Sequence, residues 1–313
     1  MKIRAVAAFA AGMGMICALA AAAHADEKKV CRYLLASLPL SFDNGMRPTI
    51  PAKVNGTDVS LLVDTGAIDS ELAWNTVQRL KMPKTMLDPE ARVFNVAGGA
   101  VIYRTTADTF SIGAMSATNW PFLVAPEHDP GIGNGEVDGI LGPDVMVKYD
   151  VEFDFAAGKF NIFTHDECTG RVVYWTQQSF AAIPLRMDGY HIYAPATLDG
   201  YSVDVMIDSG ASVSNTTSSS ADEMGLAAAQ MTRINGGKDP KNAVYTYPFH
   251  SLDLGGLVVT DPQVIIIPER NGALHNMQEP KPVIVLGDTV LRRLHIYIAY
   301  RQKVLYLTTA DAR

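Results

Sequence analysis

The chain has 313 residues, 48% of them apolar and 19% charged, enough for two domains with cores of ordinary globular composition. Its net charge of −7 at neutral pH argues against nucleic acid or an anionic membrane surface as a partner.

The N-terminus departs from this composition. Lys2 and Arg4 precede an apolar stretch from Ala5 to Ala23, and Ala23-His24-Ala25 has the small-x-small pattern of a cleavage site. Residues 1–25 therefore read as a signal peptide, and the protein is expected to be exported, periplasmic or secreted. An uncleaved anchor is the other reading. Gly14-Met15-Ile16 before Cys17 is a poor lipidation box. No later run is long enough to span a bilayer, so no stable membrane insertion is expected. Cleavage removes Cys17 and leaves Cys31 and Cys168. An oxidising destination permits a disulfide between them, which would close a long loop; two buried free thiols are the alternative.

A repeated pattern follows. Leu38-Pro39-Leu40, Pro51-Ala52 and Asn55-Gly56 match Ile183-Pro184-Leu185, Pro195-Ala196 and Asp199-Gly200. Asn44-Gly45 lines up near Asp188-Gly189. Asn-Gly and Asp-Gly between alternating apolar segments signal tight hairpins. Each hairpin runs into an acid: LLVDTGAIDS spans Leu61 to Ser70, and VMIDSGASVS spans Val205 to Ser214. Asp64 and Asp208, 144 positions apart, thus sit just past matching strands, on the loops Thr65-Gly66 and Ser209-Gly210.

Short helices are expected next, near Leu72 to Leu80 and near Ser219 to Met224, the second capped by Ser219 or Ser220 with Glu223 near the capping-box position. The polar run Asn215 to Ser220 reads as a solvated turn and cap. Glycine pairs follow at Gly98-Gly99 and Gly236-Gly237, each between β-prone segments. Ile140-Leu141-Gly142 matches Val285-Leu286-Gly287, and the alternating pair VEFDF and KFNIF matches IYIAY and KVLYL. A period this long is a duplicated domain. The first lobe is placed at 26–168, an ordered connector at 169–182 and the second lobe at 183–313. Strands dominate and helices are few, so the fold class is mostly β.

Asp-Thr-Gly-Ala at Asp64 and Asp-Ser-Gly-Ala at Asp208, each with a downstream Leu-Gly partner, resemble the aspartic peptidases over almost the whole mature chain. Two lobes in one chain are similar to pepsins. The alanines after the glycines, the small lobes and the glycine-paired hairpins are more similar to retropepsins, which build one site from two identical subunits. The resemblance implies a bilobal acid protease fold with a six-stranded floor, a central cleft and a flap hairpin. It implies an endopeptidase of extended polypeptides, acting as a monomer with no cofactor and no metal. A non-catalytic peptide-binding module of the same fold in the cell envelope is the rival.

The chemistry fits the residues. Two carboxyls held close together cannot both ionise cheaply, so Asp64 and Asp208 would share one proton and activate water between them. The resemblance makes Thr65 and Ser209 cross-links between the loops, brings the Gly66 and Gly210 amides to the carboxylates, and puts Leu141-Gly142 and Leu286-Gly287 beneath the loops. Pepsins usually carry a hydroxyl residue where this chain has Ala67 and Ala211. Lacking that donor, the pair should keep its proton to higher pH, giving a weakly acidic to neutral optimum. Gly98, Gly99 and Tyr103 are flap candidates in the first lobe, as are Gly236 and Gly237, with Tyr245 and Tyr247, in the second. About ten residues between Asp26 and the first matched strand leave little room for an inhibitory prosegment.

Other motifs are weak. The histidines that remain show no metal-ligand spacing. Gly131-Ile132-Gly133-Asn134-Gly135 precedes a strand rather than a helix and reads as a loop. Gly-x-Ser-x-Gly is absent, which disfavours a serine-nucleophile hydrolase.

Overall fold

The computed structural model describes residues 32–91, 93–94, 99–132, 135–165, 172–235, 242–268 and 281–312. The leader, Cys31, Cys168, Gly98, Gly236 and Gly237 lie outside them, and so does the Cys31–Cys168 pairing. The protein is mostly β, with two lobes of barrel-like sheets and a few short helices. Among the described residues no helix is long and apolar enough to cross a membrane.

The duplicated hairpins form as their turn residues dictate. Pro48–Val54 pairs with Thr57–Val63 around Asn55 and Gly56, both with positive φ (50° and 76°). His191–Leu198 pairs with Tyr201–Ile207 around Asp199 and Gly200, at 47° and 89°. Two successive left-handed residues match the twist of the flanking strands, which is why Asn-Gly and Asp-Gly stand there. Each second strand then gains a parallel neighbour from far along the chain: Leu141 pairs with Val63, and Leu286 with Ile207. Leu61, Val63, Leu141, Val205 and Leu286 are all completely buried. The pairing places the residue after each strand, Asp64 or Asp208, at the end of a rigid, apolar-packed ladder.

Eight strands of the first half form one sheet, closed on itself where Pro48–Val54 also pairs with Tyr103–Ile112. Ten strands of the second half form another, in which His191–Leu198 likewise pairs with Ser251–Leu254. A third sheet of six strands takes three from each half. Its seam is the antiparallel pairing of Asp150–Asp154 with Leu294–Ala299. This is the floor that the resemblance implies.

The seam is both apolar and polar. Phe153 and Phe160 are buried with centroids 4.9 Å apart. On the other face His295 Nε2 lies 2.9 Å from Glu152 Oε1, and Glu152 also accepts from Asn161 Nδ2 at 2.6 Å and Tyr174 Oη at 2.7 Å. Trp175 stacks flat on His295 at 4.1 Å, so the chain between the halves is packed on the seam. A buried acid with this many donors is satisfied rather than stranded.

Three local expectations are corrected. Leu72 is not helical: Glu71–Leu72 is a short strand against Gly139 and Ile140, and the helix is Trp74–Arg79. The second helix is Ser218–Glu223, and its cap is Thr217, whose hydroxyl accepts from the Ser220 amide at 3.3 Å. Glu223 is its last residue, too far along to close a capping box. The polar run from Asn215 is not a solvated turn. Ser214–Thr217 is an interior strand between Val264–Ile267 and Val283–Leu286, with Thr216 fully buried. Its hydroxyls find backbone acceptors, as Thr216 Oγ1 does on Val283 O at 2.7 Å, so burial costs little. Polarity alone misread a strand whose side chains are bonded inside the sheet.

Truncation of Phe153 to alanine is expected to cost about 3–5 kcal/mol in urea unfolding, because the ring is 1% exposed at the seam of the six-stranded sheet. A loss under about 1 kcal/mol would mean that the seam is not a common core.

Candidate active site

Asp64 and Asp208 are held in the same way. The Asp64 amide donates to Leu141 O and the Asp208 amide to Leu286 O, both at 3.1 Å. Beyond them the two loops interlock. The Thr65 amide donates to Ser209 Oγ at 3.1 Å, and the Ser209 amide donates to Thr65 Oγ1 at 3.0 Å. Each hydroxyl also donates to the main chain of the opposite strand: Thr65 Oγ1 to Ile207 O at 2.8 Å, and Ser209 Oγ to Val63 O at 2.7 Å. Thr65 and Ser209 are almost fully buried, so these four bonds work in a low-dielectric setting.

The interlock brings the carboxyls together. Asp64 and Asp208 lie within hydrogen-bonding reach of one another. A Cβ on Gly66 would overlap the Asp208 carboxylate, and a Cβ on Gly210 would overlap that of Asp64. Glycine is required at both positions because each loop passes against the opposite acid. The Gly66 amide donates to Asp64 Oδ1 at 2.8 Å; the Gly210 and Ala211 amides donate to Asp208 Oδ1 at 2.9 and 3.1 Å. The Ala67 amide also points at the Asp64 carboxylate.

The family model described as aspartyl protease matches this chain twice, over residues 50–145 and 194–294. Each match contains one of the interlocked loops, and together they cover more than half of the chain. The chain belongs to the aspartyl protease family. Among curated proteins none matches it. Membership makes this aspartyl protease a peptide hydrolase in general terms, with a peptide as its substrate.

Electrostatics at the site are set by burial. Desolvation raises both carboxyls of this aspartyl protease above the usual range, and at Asp208 the charge of Asp64 adds to burial. The Gly66 and Ala67 amides, Asp208 and the Arg47 guanidinium pull Asp64 partly back. Glu71, on the strand after the Asp64 loop, is pushed to about 8 by burial and by Asp129, Asp64 and Asp69.

The flap candidates are only partly visible. Val93–Phe94 and Ala100–Val101 form a small hairpin whose described loop residue is Gly99. Thr232–Asn235 and Val244–Thr246 form its counterpart, with Tyr245 opposite Arg233. Tyr103 lies outside the first hairpin. It opens the strand Tyr103–Ile112, with its ring 5.9 Å from Trp74. Tyr247 Oη donates to Gln230 Oε1 at 2.7 Å.

The sequence reading missed a second layer. The Gly142 amide donates to Ser70 Oγ at 2.9 Å, and the Gly287 amide to Ser214 Oγ at 3.0 Å. Ser70 and Ser214 tie the supporting Leu-Gly segments to the loops. They stand six residues after each aspartate, at the ends of the matching stretches, so their shared identity was the available signal. Asp288 was also missed, since the first half has Pro143 at the matching position. It is 3% exposed and neither of its carboxyl oxygens has a partner among the described residues. Burial, with Asp208 nearby, lifts it to about 9.

A carboxyl raised in the folded state stabilises the fold below its unfolded range, about pH 4, and that contribution is lost as pH climbs towards the folded value. For Asp288 this loss runs from about pH 4 to about 9. Asp288→Asn is therefore expected to stabilise the protein by about 1–3 kcal/mol at pH 8 and by almost nothing at pH 4, measured by urea unfolding at both values. Equal effects at the two pH values would contradict this origin.

Proposed function

We propose that this chain is an exported aspartic endopeptidase that hydrolyses extended polypeptides with water activated by Asp64 and Asp208, acting as a monomer without a cofactor. The observation that supports it is the reciprocal bonding of Thr65 and Ser209, which leaves both carboxyls side by side with each loop glycine seated against the opposite acid. The leader-like residues 1–25 support export.

In this reading the pair holds one proton. The ionised carboxylate takes a proton from the bound water while the water oxygen bonds to the peptide carbonyl carbon. The protonated carboxyl gives its proton to the carbonyl oxygen, producing a neutral tetrahedral diol. The diol then collapses. A hydroxyl proton returns to a carboxylate, the amide nitrogen takes the other acid's proton, and the carbon–nitrogen bond breaks. Proton count and electron pairs balance without a covalent enzyme intermediate. Water is held on fixed groups, so little reorganisation is needed at the reacting carbon.

Asp64→Asn and Asp208→Asn are each expected to lower kcat by about 10²–10⁴-fold or more, with loss of cleavage of a random peptide library. A variant that keeps turnover would remove that aspartate from the mechanism; wild-type protein that binds peptides but never cuts them would establish a binding module instead. Ala67 and Ala211 supply only their main-chain amides, and burial raises both acids. The optimum of kcat/KM should therefore lie at about pH 5–7, and a peak below about pH 3 would contradict the raising of the pair by burial and missing hydroxyl donors.

A further inference from the structure

The repeat places Arg47 and His191 at matching positions, 144 residues apart, just before or at the first strand of each duplicated hairpin. They are used differently. Arg47 donates from Nε and Nη2 to Asp43 and from Nη2 to Gly131 O at 2.6 Å, all within its own half. His191 instead crosses between the halves: its Nε2 lies 3.0 Å from Gly66 O. A carbonyl oxygen only accepts, so Nε2 carries the hydrogen.

That carbonyl belongs to the peptide unit joining Gly66 to Ala67, whose other end is the Ala67 amide, which lowers the Asp64 carboxyl less than the Gly66 amide, Asp208 or Arg47 does. A hydrogen bond to the C=O of a peptide unit polarises it and strengthens its N–H as a donor. The chain of groups is therefore His191 Nε2–H, the Gly66–Ala67 peptide, and the Asp64 carboxylate. The Ala211 amide donates to Asp208 Oδ1 at 3.1 Å, but Arg47, which would match His191, is turned to Asp43 and Gly131.

We infer that His191 is a positioning residue that acts through the Gly66–Ala67 peptide to favour negative charge on Asp64, making Asp64 the member of the pair that takes the proton from water and Asp208 the member that carries it. This rests on the peptidase reading of the site.

Other charged groups also act on the pair. Asp64 faces Asp208, the Arg47 guanidinium and Glu71. Glu71 faces Asp129 and Asp69, and Asp69 faces Asp144. Asp288 lies near Asp208, with Arg292, Asp43 and Arg47 also acting on it. Asp188 stands opposite His191 on the paired strand Arg186–Asp188.

The test is a pH titration of the aspartate side-chain carboxyl carbons by NMR on the mature protein, with the Asp64 signal assigned by its loss in Asp64→Asn. His191→Leu is expected to raise the Asp64 midpoint by about 0.3–0.7 of a pH unit and to move the acid limb of kcat/KM by the same amount. His191→Gln places an amide N–H near the Nε2 position and should leave the midpoint within about 0.2 of a unit. If His191→Leu does not fold, His191→Asn, whose shorter side chain cannot reach Gly66 O, should give the same upward shift. An unmoved midpoint in the leucine or asparagine variant overturns the inference. So does an equal shift in the glutamine variant, or a titration showing Asp208 as the first acid to ionise. The titration needs no turnover: loss of the peptidase reading shows as an inactive wild type, and loss of this inference as an unmoved Asp64.

Discussion

Four hydrogen bonds around Thr65 and Ser209 govern this molecule. A typical protein hydrogen bond contributes about 0.5–1.5 kcal/mol net, but a buried donor stripped of its partner costs about 1–3 kcal/mol. Here the two amides and two hydroxyls have no water to fall back on, since both residues are almost fully buried. The arrangement is therefore all or nothing. Slipping one loop strands the amide of the other. The aspartates precede these residues directly, so their spacing is inherited from the interlock and from the ladder pairing of Val63 with Leu141 and Ile207 with Leu286.

Around this symmetric centre the halves have diverged. Ser70 and Ser214 retain one role, each receiving the amide of a Leu-Gly segment. One residue on, Glu71 in the first half corresponds to Asn215 in the second. Pro143 corresponds to Asp288, and Asp144, which accepts from Ser70, to Thr289, which accepts from Ser214. The shared bonds hold the loops, while the differences fall on groups that set the local field. Desolvation is the largest cause at Asp64, Asp208, Glu71 and Asp288 alike; acidic neighbours add to it at Asp208, Glu71 and Asp288, while Arg47 opposes it at Asp64 and Arg292 and Arg47 oppose it at Asp288. That combination pushes Glu71 to about 8 and Asp288 to about 9, so these two acids stay protonated well into the neutral range.

Much of this was legible in the chain because it is written twice. Asn55-Gly56 and Asp199-Gly200 announce their turns through a backbone conformation few other residues tolerate. The Leu-Gly pairs downstream were found by matching the halves, and they sit beneath the loops as the family resemblance implies. What could not be read was whatever depends on distant partners. Ser214 to Thr217 look solvent-loving in isolation, and only the sheet supplies the carbonyls that make them an interior strand. Asp288 and His191 lack a like residue in the other half, so comparison of the halves hid them. Tyr103 was sought at a hairpin tip, whereas its strand pairs with Met115–Val124 and carries it to Trp74 instead.

The six-stranded sheet has one more effect. It draws three strands from each half of a single polypeptide, and the loops it supports are tethered to each other by covalent chain. Retropepsins must find a second molecule before their site exists, so dilution dissolves it. In this protein the two loops meet at an effective concentration fixed by the connecting chain rather than by the amount in solution. The site should persist on dilution, and each half has been able to change without altering its mate.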